Sequence, residues 1–310
     1  MNEFDYIKKY FRPLTNKVGR LFQDDAAVFS SEKGVDYVLS TDTMVEKIHF
    51  LGIEKPELIA KKALRVNLSD LAAMGAEPLY YNLSLSIPKN KADTFIKPFS
   101  KGLKLDQEKF NIFLVGGDLT SSNRYITITI TIIGKVPYSK AVPRNGALNN
   151  DYLYVTGVLG LSNIGLTQFN SKKKEFEIAK NKYLIPEPRV ELACELRKYV
   201  NCMIDISDGL IQDASHLAKN SGLEININLD QIPTPKFRSL KDKDILESAM
   251  YGGDDYELLF SINPNKERFI KRLEKKFKVK ISKIGKFKKG KIGRVFSSHN
   301  ELKTNSYMHF

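Results

Sequence analysis

Short apolar strand patterns alternate with helix patterns in both halves of this chain, and that alternation predicts an α/β (α+β) protein. Its 310 residues suit two domains at ~100–200 residues each. A segment rich in Pro, Gly and Asn, 137–150, is where a boundary is expected, dividing residues 1–137 from 138–310.

In the first half, Tyr37–Ser40 is a short strand pattern that leads into Thr41 and Asp42. Residues 56–73 read as a helix: Pro56 starts it, Leu and Ala recur at three-to-four spacing, and Gly75 stops it. Tyr81–Ile87 alternates as a strand does, and Asp93–Leu105 is helical. Ile112–Val115 is a buried strand that stops at Gly116, Gly117 and Asp118. From Tyr125 to Gly134, Ile126, Ile128, Ile130 and Ile132 alternate with polar residues, so one face of that strand is apolar.

In the second half, strands are expected at Asp151–Gly157, Met203–Ile206, Leu223–Leu229 and Tyr256–Ile262. Helices are expected at Glu187–Tyr199, from Ser207-Asp208-Gly209 as a cap to about Asn220, at Leu240–Met250 and at 265–278. The polar run 170–182 reads as an exposed segment. No strict repeat is present.

Hydrophobic residues make up 42% of the chain and charged residues 27%, the range of an ordinary globular protein. The first residues, MNEFDYIKKYF, lack the apolar run of a secretory signal. No stretch reaches the ~18 apolar residues of a membrane span. Cys194 and Cys202 are too few for a disulfide framework. A cytoplasmic protein is expected, with no membrane partner.

The net charge of +13 raises the question of nucleic acid. Residues 1–137 hold 19 basic and 16 acidic residues, and 138–310 hold 30 and 20. Thirteen Lys or Arg fall in 266–291 beside only Glu267 and Glu274. Lys outnumbers Arg 38 to 11, and Lys is the generic solvated cation, whereas Arg is favoured for bidentate phosphate contacts. No nucleic-acid recognition motif accompanies the excess, which reads as solvated surface. A basic polyanion-binding protein is the alternative from a different class.

The chemistry lies in the aspartates. Apolar strands repeatedly stop at a small residue beside Asp: Ser40-Thr41-Asp42, Gly116-Gly117-Asp118, Asp205-Ile206-Ser207-Asp208-Gly209 and Gly252-Gly253-Asp254-Asp255. Asp24-Asp25 precedes an apolar strand, and Asp70 lies near the end of the first long helix. Carboxylates at the strand ends of an α/β layer point into the crevice where ligands bind. Two of them ~4 Å apart repel by about 4 kcal/mol at an effective dielectric of ~20. Hard oxygen ligands select Mg²⁺, which typically arrives with phosphates.

Other chemistries are excluded. No G-x-S-x-G elbow, His-x-x-x-His pair or G-x-G-x-x-G turn is present. Residues 285–292, GKFKKGKI, imitate a P-loop but end in Ile where a metal-binding hydroxyl is required. They read as a surface hairpin.

DDAAV (24–28), STDTMVEKIHF (40–50), KALRVNLSDLAAMGAEP (62–78), LVGGDLTSS (114–122), RNGALNNDYLYVTG (144–157), MIDISDGLIQDASHLAKNSG (203–222), GGDDYELLF (252–260) and SYMHF (306–310) together resemble the thiamine-monophosphate kinase family. That family belongs to the superfamily typified by aminoimidazole ribonucleotide synthetase. The segments span nearly the whole chain, in the family's order.

The resemblance implies transfer of the ATP γ-phosphate to thiamine monophosphate, giving thiamine diphosphate and ADP. It implies several Mg²⁺ ions, a homodimer paired through the N-terminal mixed sheets, and a C-terminal α/β domain that closes the nucleotide cleft. Asp25, Ser40, Thr41, Asp42, Asp70, Asp118, Asp205 and Asp208 resemble metal ligands. Gly117, Asp118, Arg144 and Ser207 resemble ATP contacts; His49, Asp254 and Tyr307 resemble contacts to the acceptor. Asp42, Asp118, Arg144 and Asp208 are the expected catalytic set. The chain departs from the family at Asp254, usually Glu, at Leu119 in the usual GGDTT, and in its SYMHF ending, usually GYDHF. Another ATP-using member of the superfamily with a different acceptor is the runner-up.

Overall fold

The computed structural model describes residues 7–14 and 33–303. Asp25 and Tyr307, two of the expected site residues, lie outside the described residues. Contacts divide the chain into two units, Met1–Leu71 with Ala76–Ser139 and Ala72–Gly75 with Lys140–Phe310.

Among the described residues four strands build the first unit: β1 (Val35–Val45), β2 (Glu77–Pro88), β3 (Phe113–Ser122) and β4 (Thr127–Pro137). They form a mixed sheet in the order β1-β4-β2-β3, with β2 and β3 parallel and the other pairs antiparallel. The Ile/Thr alternation of β4 sets its faces, because successive strand side chains point to opposite sides. Ile128, Ile130 and Ile132 are buried. On the other side Thr41 Oγ1 donates to Thr131 Oγ1, and the hydroxyls of Thr43 and Thr129 pair at 2.8 Å.

Helices α1 (Pro56–Ala73) and α2 (Ala92–Phe110) cover the apolar side. Asn67 of α1 bonds Asp42 of β1, and Gln107 of α2 accepts from the buried Tyr81 hydroxyl of β2. The helices touch closely at Gly102, where a Cβ would lie 2.3 Å from the Glu57 carbonyl. Arg65 reaches across to Asp106 with a two-pronged bond at 2.6 and 2.9 Å, both side chains buried.

The second unit holds a seven-stranded sheet. Its strands are β5 (Tyr152–Thr156), β6 (Val200–Asp205), β7 (Glu224–Ile227), β8 (Leu258–Ile262), β9 (Ile281–Lys288), β10 (Val295–Ser297) and β11 (Asn300–Leu302), in the order β11-β10-β7-β9-β5-β8-β6. Around it lie α3 (Leu161–Thr167), α4 (Glu177–Leu184), α5 (Val190–Leu196), α6 (Leu210–Asn220), α7 (Asp242–Tyr251) and α8 (Arg268–Phe277). Leu153, Val155, Ile204, Leu259 and Ile284 of the strands join Leu210, Ala214 and Leu217 of α6 in one buried cluster. Among the described residues no helix is long and apolar enough to cross a membrane.

The helix expected at 56–73 forms with those bounds. Other elements differ for identifiable reasons. β1 and β3 run well past their expected ends, because Thr41–Thr43 and Gly116–Ser122 find ladder partners in β4 and β2. α2 continues five residues beyond Leu105, since Asp106 and Gln107 have buried partners. The run 170–182 is corrected: it contains the start of α4, whose Ala179 and Tyr183, with the preceding Phe176, form a buried stripe among lysines. The helix expected at Glu187–Tyr199 shrinks to Val190–Leu196. Residues 285–292 are no hairpin. Gly285–Lys288 complete β9, which sits between β5 and β7, and the following turn leads to β10, which pairs with β7.

α8 carries Ile270 and Leu273 inward and leaves Arg268, Lys271, Arg272, Lys275 and Lys276 exposed.

Candidate active site

In the first unit the carboxylates do not stand at strand ends, as expected; Asp42 and Asp118 lie inside β1 and β3. β1 turns Ser40 and Asp42 toward α1 and Thr41 away from it. The Ser40 hydroxyl donates to Asp70 Oδ2 at 2.5 Å, and the Asp42 backbone N–H donates to Asn67 Oδ1 at 3.1 Å. Asn67, which bonds back to the Ala63 carbonyl one turn earlier, was not singled out by sequence reasoning. It had signalled itself only as part of NLSD. Burial, then the negative charge of Asp70, pushes the Asp42 carboxyl up to about 6.

Asp118 lies elsewhere. It pairs in register with Ser84 of β2, on the exposed, hydroxyl-rich side of the sheet. The strand order puts it three strand spacings from β1, ~14 Å at ~4.8 Å per strand. Gly117 before it allows close strand approach: a Cβ there would lie 2.0 Å from the Leu83 carbonyl.

His49 sits in a tight turn after β1. Its Nδ1 accepts from the Val45 backbone N–H at 3.0 Å, so in the neutral ring the proton is on Nε2. The turn is pinned by buried Glu46, which accepts from Lys91 and from the Ile126 backbone N–H. Burial works against ionisation of Glu46, but the Lys91 and Ile126 hydrogen bonds prevail and hold its carboxyl below the usual range.

In the second unit β6 ends at buried Asp205, and residues 206–209 lead into α6. The expected cap falls at Gly209, the N-cap residue of α6, but no side chain of the segment supplies it. Ser207 and Asp208 do not cap α6; Asp213, inside its first turn, accepts from the backbone N–H groups of Asp208 and Gly209, each at 3.2 Å. Burial pushes the Asp213 carboxyl well above the usual range, and Asp205 and Asp208 push the same way. Asp208, Asp213 and exposed His216 offer ligand atoms within 4.8 Å of one another. Asp213 was missed in the sequence because a lone Asp early in a helix is also an ordinary dipole-complementing residue.

Residues 252–257 run beside 206–208. Asp254 N–H bonds the Ser207 carbonyl and Tyr256 N–H the Ile206 carbonyl. Asp254 is half-buried and accepts from the Tyr256 hydroxyl at 3.0 Å. Asp255 and Glu257 point inward, fully buried. Arg144 is exposed on the segment leading to β5.

All these donors are oxygen atoms apart from histidine, and both carboxylate groups repel internally. Such sets suit a hard divalent cation.

Family models for the AIR synthase related protein match here in two parts, the N-terminal domain over residues 23–136 and the C-terminal domain over 149–298. These two matches define the class, the AIR synthase-related proteins. The chain is 36% identical to the thiamine-monophosphate kinase of Caulobacter vibrioides, over 93% of this chain and 84% of that one. The solved thiamine-monophosphate kinase of Stenotrophomonas maltophilia superposes with a TM-score of 0.85 at 30% identity, covering 90% of each chain. A structure of AaThiL complexed with AMPPCP and TMP gives 0.81 at 30% identity, over 99% of this chain and 97% of that one. The chain belongs to that class and, within it, to the thiamine-monophosphate kinase family.

Proposed function

We propose that this protein transfers the γ-phosphate of ATP to thiamine monophosphate, giving thiamine diphosphate and ADP, with Mg²⁺ bound by its aspartates. The observation that carries this reading is the gathering of Ser40, Asp42 and Asp70 where β1 meets α1, in a chain whose relatives are thiamine-monophosphate kinases; burial and the Asp70 carboxylate push the Asp42 carboxyl up to about 6. A positive ion relieves that repulsion.

Asp25, Ser40, Thr41, Asp42 and Asp70 form the proposed metal-binding set of the first unit, with Asp118 on its far strand. Asp205 and Asp208 form that of the second. Gly117, Asp118, Arg144 and Ser207 are the proposed ATP contacts. Bound Mg²⁺ supplies neutralisation of the phosphate charge, which phosphoryl transfer needs more than covalent help. Arg144 offers a planar fork suited to a phosphate, and its exposure leaves that fork accessible. No general base is required, because the acceptor phosphate oxygen is already anionic.

His49, Asp254 and Tyr307 are the proposed acceptor contacts. The Nε2–H of His49 suits an anionic phosphate, whereas the Asp254 carboxylate suits the positively charged end of the acceptor. We further propose a cytoplasmic homodimer paired through the open side of the β1–β4 sheet. In support, Leu39, Ile133, Tyr80 and Phe113 lie in one register row across that side, and Leu39 is 66% exposed.

A coupled ADP-release assay with ATP, Mg²⁺ and a panel of acceptors tests the reading. Turnover is expected with thiamine monophosphate and is expected to vanish on chelation of Mg²⁺. A folded protein without turnover on that acceptor overturns the reading.

A further inference from the structure

Between Gly252 and Leu258 the chain has neither helix nor strand, yet it is held on every side. Ser207 and Ile206 carbonyls accept from Asp254 and Tyr256, and the Glu257 carbonyl accepts from Ile206. Gly253 leaves no room for a side chain, since a Cβ would lie 2.4 Å from the Ser207 carbonyl.

The side chains alternate. Asp255 turns inward and accepts from the Gly160 and Ser162 backbone N–H groups at 2.6 and 3.3 Å. Glu257 turns inward and accepts from Lys182 at 2.8 Å, from both prongs of Arg189 at 2.7 Å, and from the Thr156 hydroxyl at 2.7 Å. Asp254 and Tyr256 turn outward, joined by the bond from the Tyr256 hydroxyl.

Both outward residues have positive φ, 67° at Asp254 and 50° at Tyr256. For a bulky residue such as Tyr this backbone is an outlier, and such strain persists only where the surroundings over-determine it. The two buried carboxylates supply that over-determination. In the chain Asp255 lies between the two strained residues and Glu257 follows Tyr256, and the two carboxylates are bonded at six points between them. The result is a carboxylate aimed and fixed before any ligand arrives, which removes the ordering cost from binding.

We propose that Tyr256 is a positioning residue for the acceptor side of the reaction, fixing the Asp254 carboxylate, and that Glu257 with Lys182 and Arg189 is the buried clamp that holds both in place. The proposal rests on the reading of Asp254 as an acceptor contact. It assigns a role to Lys182, which the polar look of residues 170–182 conceals, and to Arg189 beyond that run.

Steady-state kinetics on the full chain test it, with thermal unfolding followed in parallel. Tyr256→Phe keeps the ring and deletes the bond to Asp254. It is expected to raise KM for thiamine monophosphate about tenfold, the effect of one hydrogen bond to a charged group, while KM for ATP, kcat and Tm stay near wild type. Arg189→Lys keeps the charge but loses the fork, and is expected to shift the same KM in the same direction by less. Wild-type KM values in Tyr256→Phe overturn the proposal. So do equal shifts in both KM values, or a lowered Tm with no selective change. Wild-type protein that turns over no thiamine monophosphate overturns the reading of the site and this proposal with it. Turnover by wild type with an unaltered Tyr256→Phe overturns this proposal alone.

Discussion

Asp42 in the first unit and Glu257 in the second are carboxyls withdrawn from water, and they titrate in opposite directions. Burial raises both. At Asp42 the neighbouring Asp70 adds to that effect, and the carboxyl reaches about 6. At Glu257, Lys182 and Arg189 outweigh burial and bring it to about 2. Among the described residues no cation pairs with Asp42, whereas Glu257 has two. The difference separates two uses of a carboxylate drawn away from water. One is completed from within the chain and serves the fold. The other has no such partner among the described residues, which is the arrangement the proposed metal site calls for.

Breaking each carboxylate in turn therefore has different expected outcomes. Asp42→Asn removes a proposed metal ligand. Turnover is expected to fall by ~10²–10³, the scale of a lost electrostatic contribution in an active site, while Tm holds or rises as the repulsion from Asp70 is relieved. A coupled ADP assay beside a thermal melt checks it; wild-type turnover would remove Asp42 from the metal site. Glu257→Gln strands two cations that are only 12% and 18% exposed. It is expected to cost about 3 kcal/mol of stability, the low end for breaking a buried pair, read by denaturant unfolding.

Acidity sharpens the contrast. Glu257 drops from an ordinary 4.5 to about 2 on folding, so its stabilisation is fully present above 4.5 and is lost as pH falls toward 2. Asp42 rises from 3.8 to about 6, so without a cation its folded form favours the proton, and that contribution is lost as pH rises through about 6. At the proposed metal site, Mg²⁺ would compete with that proton. Stabilisation by Mg²⁺ in a thermal-shift titration is expected to weaken below about pH 6, and to lose that dependence in Asp42→Asn. The smallest effect expected is that of Ser40→Ala, which removes the hydroxyl bond to Asp70 at a cost of about 1 kcal/mol, measured by denaturant unfolding.

Local pattern made much of this legible. Pro56 and Gly75 bracket a helix because each acts on its own backbone, and the Ile/Thr alternation of β4 reports its two faces because strand geometry has period two. Strand ends were legible only where the chain itself supplied a stop. β1 and β3 continue past Asp42 and Asp118 because their hydrogen bonds come from β4 and β2, more than thirty residues away in sequence. α4 was hidden because its buried stripe of Ala179 and Tyr183 is interleaved with Lys180 and Lys182, and Lys182 is there to meet Glu257.

The same division holds for the site. Sequence alone determined which residue types are present: aspartates beside small residues, in an order that resembles a kinase family, and no alternative nucleophile or zinc set. Only the tertiary structure decided what each aspartate does. It faced Asp42 to Asp70, set Asp118 on the opposite edge of the sheet, bonded Asp213 to the backbone leading into α6, and distinguished half-buried Asp254 from Asp255 in the core. The physical reason is that a carboxylate's protonation and role depend on burial and on charges within a few ångströms, and those neighbours are brought together by folding across tens of residues.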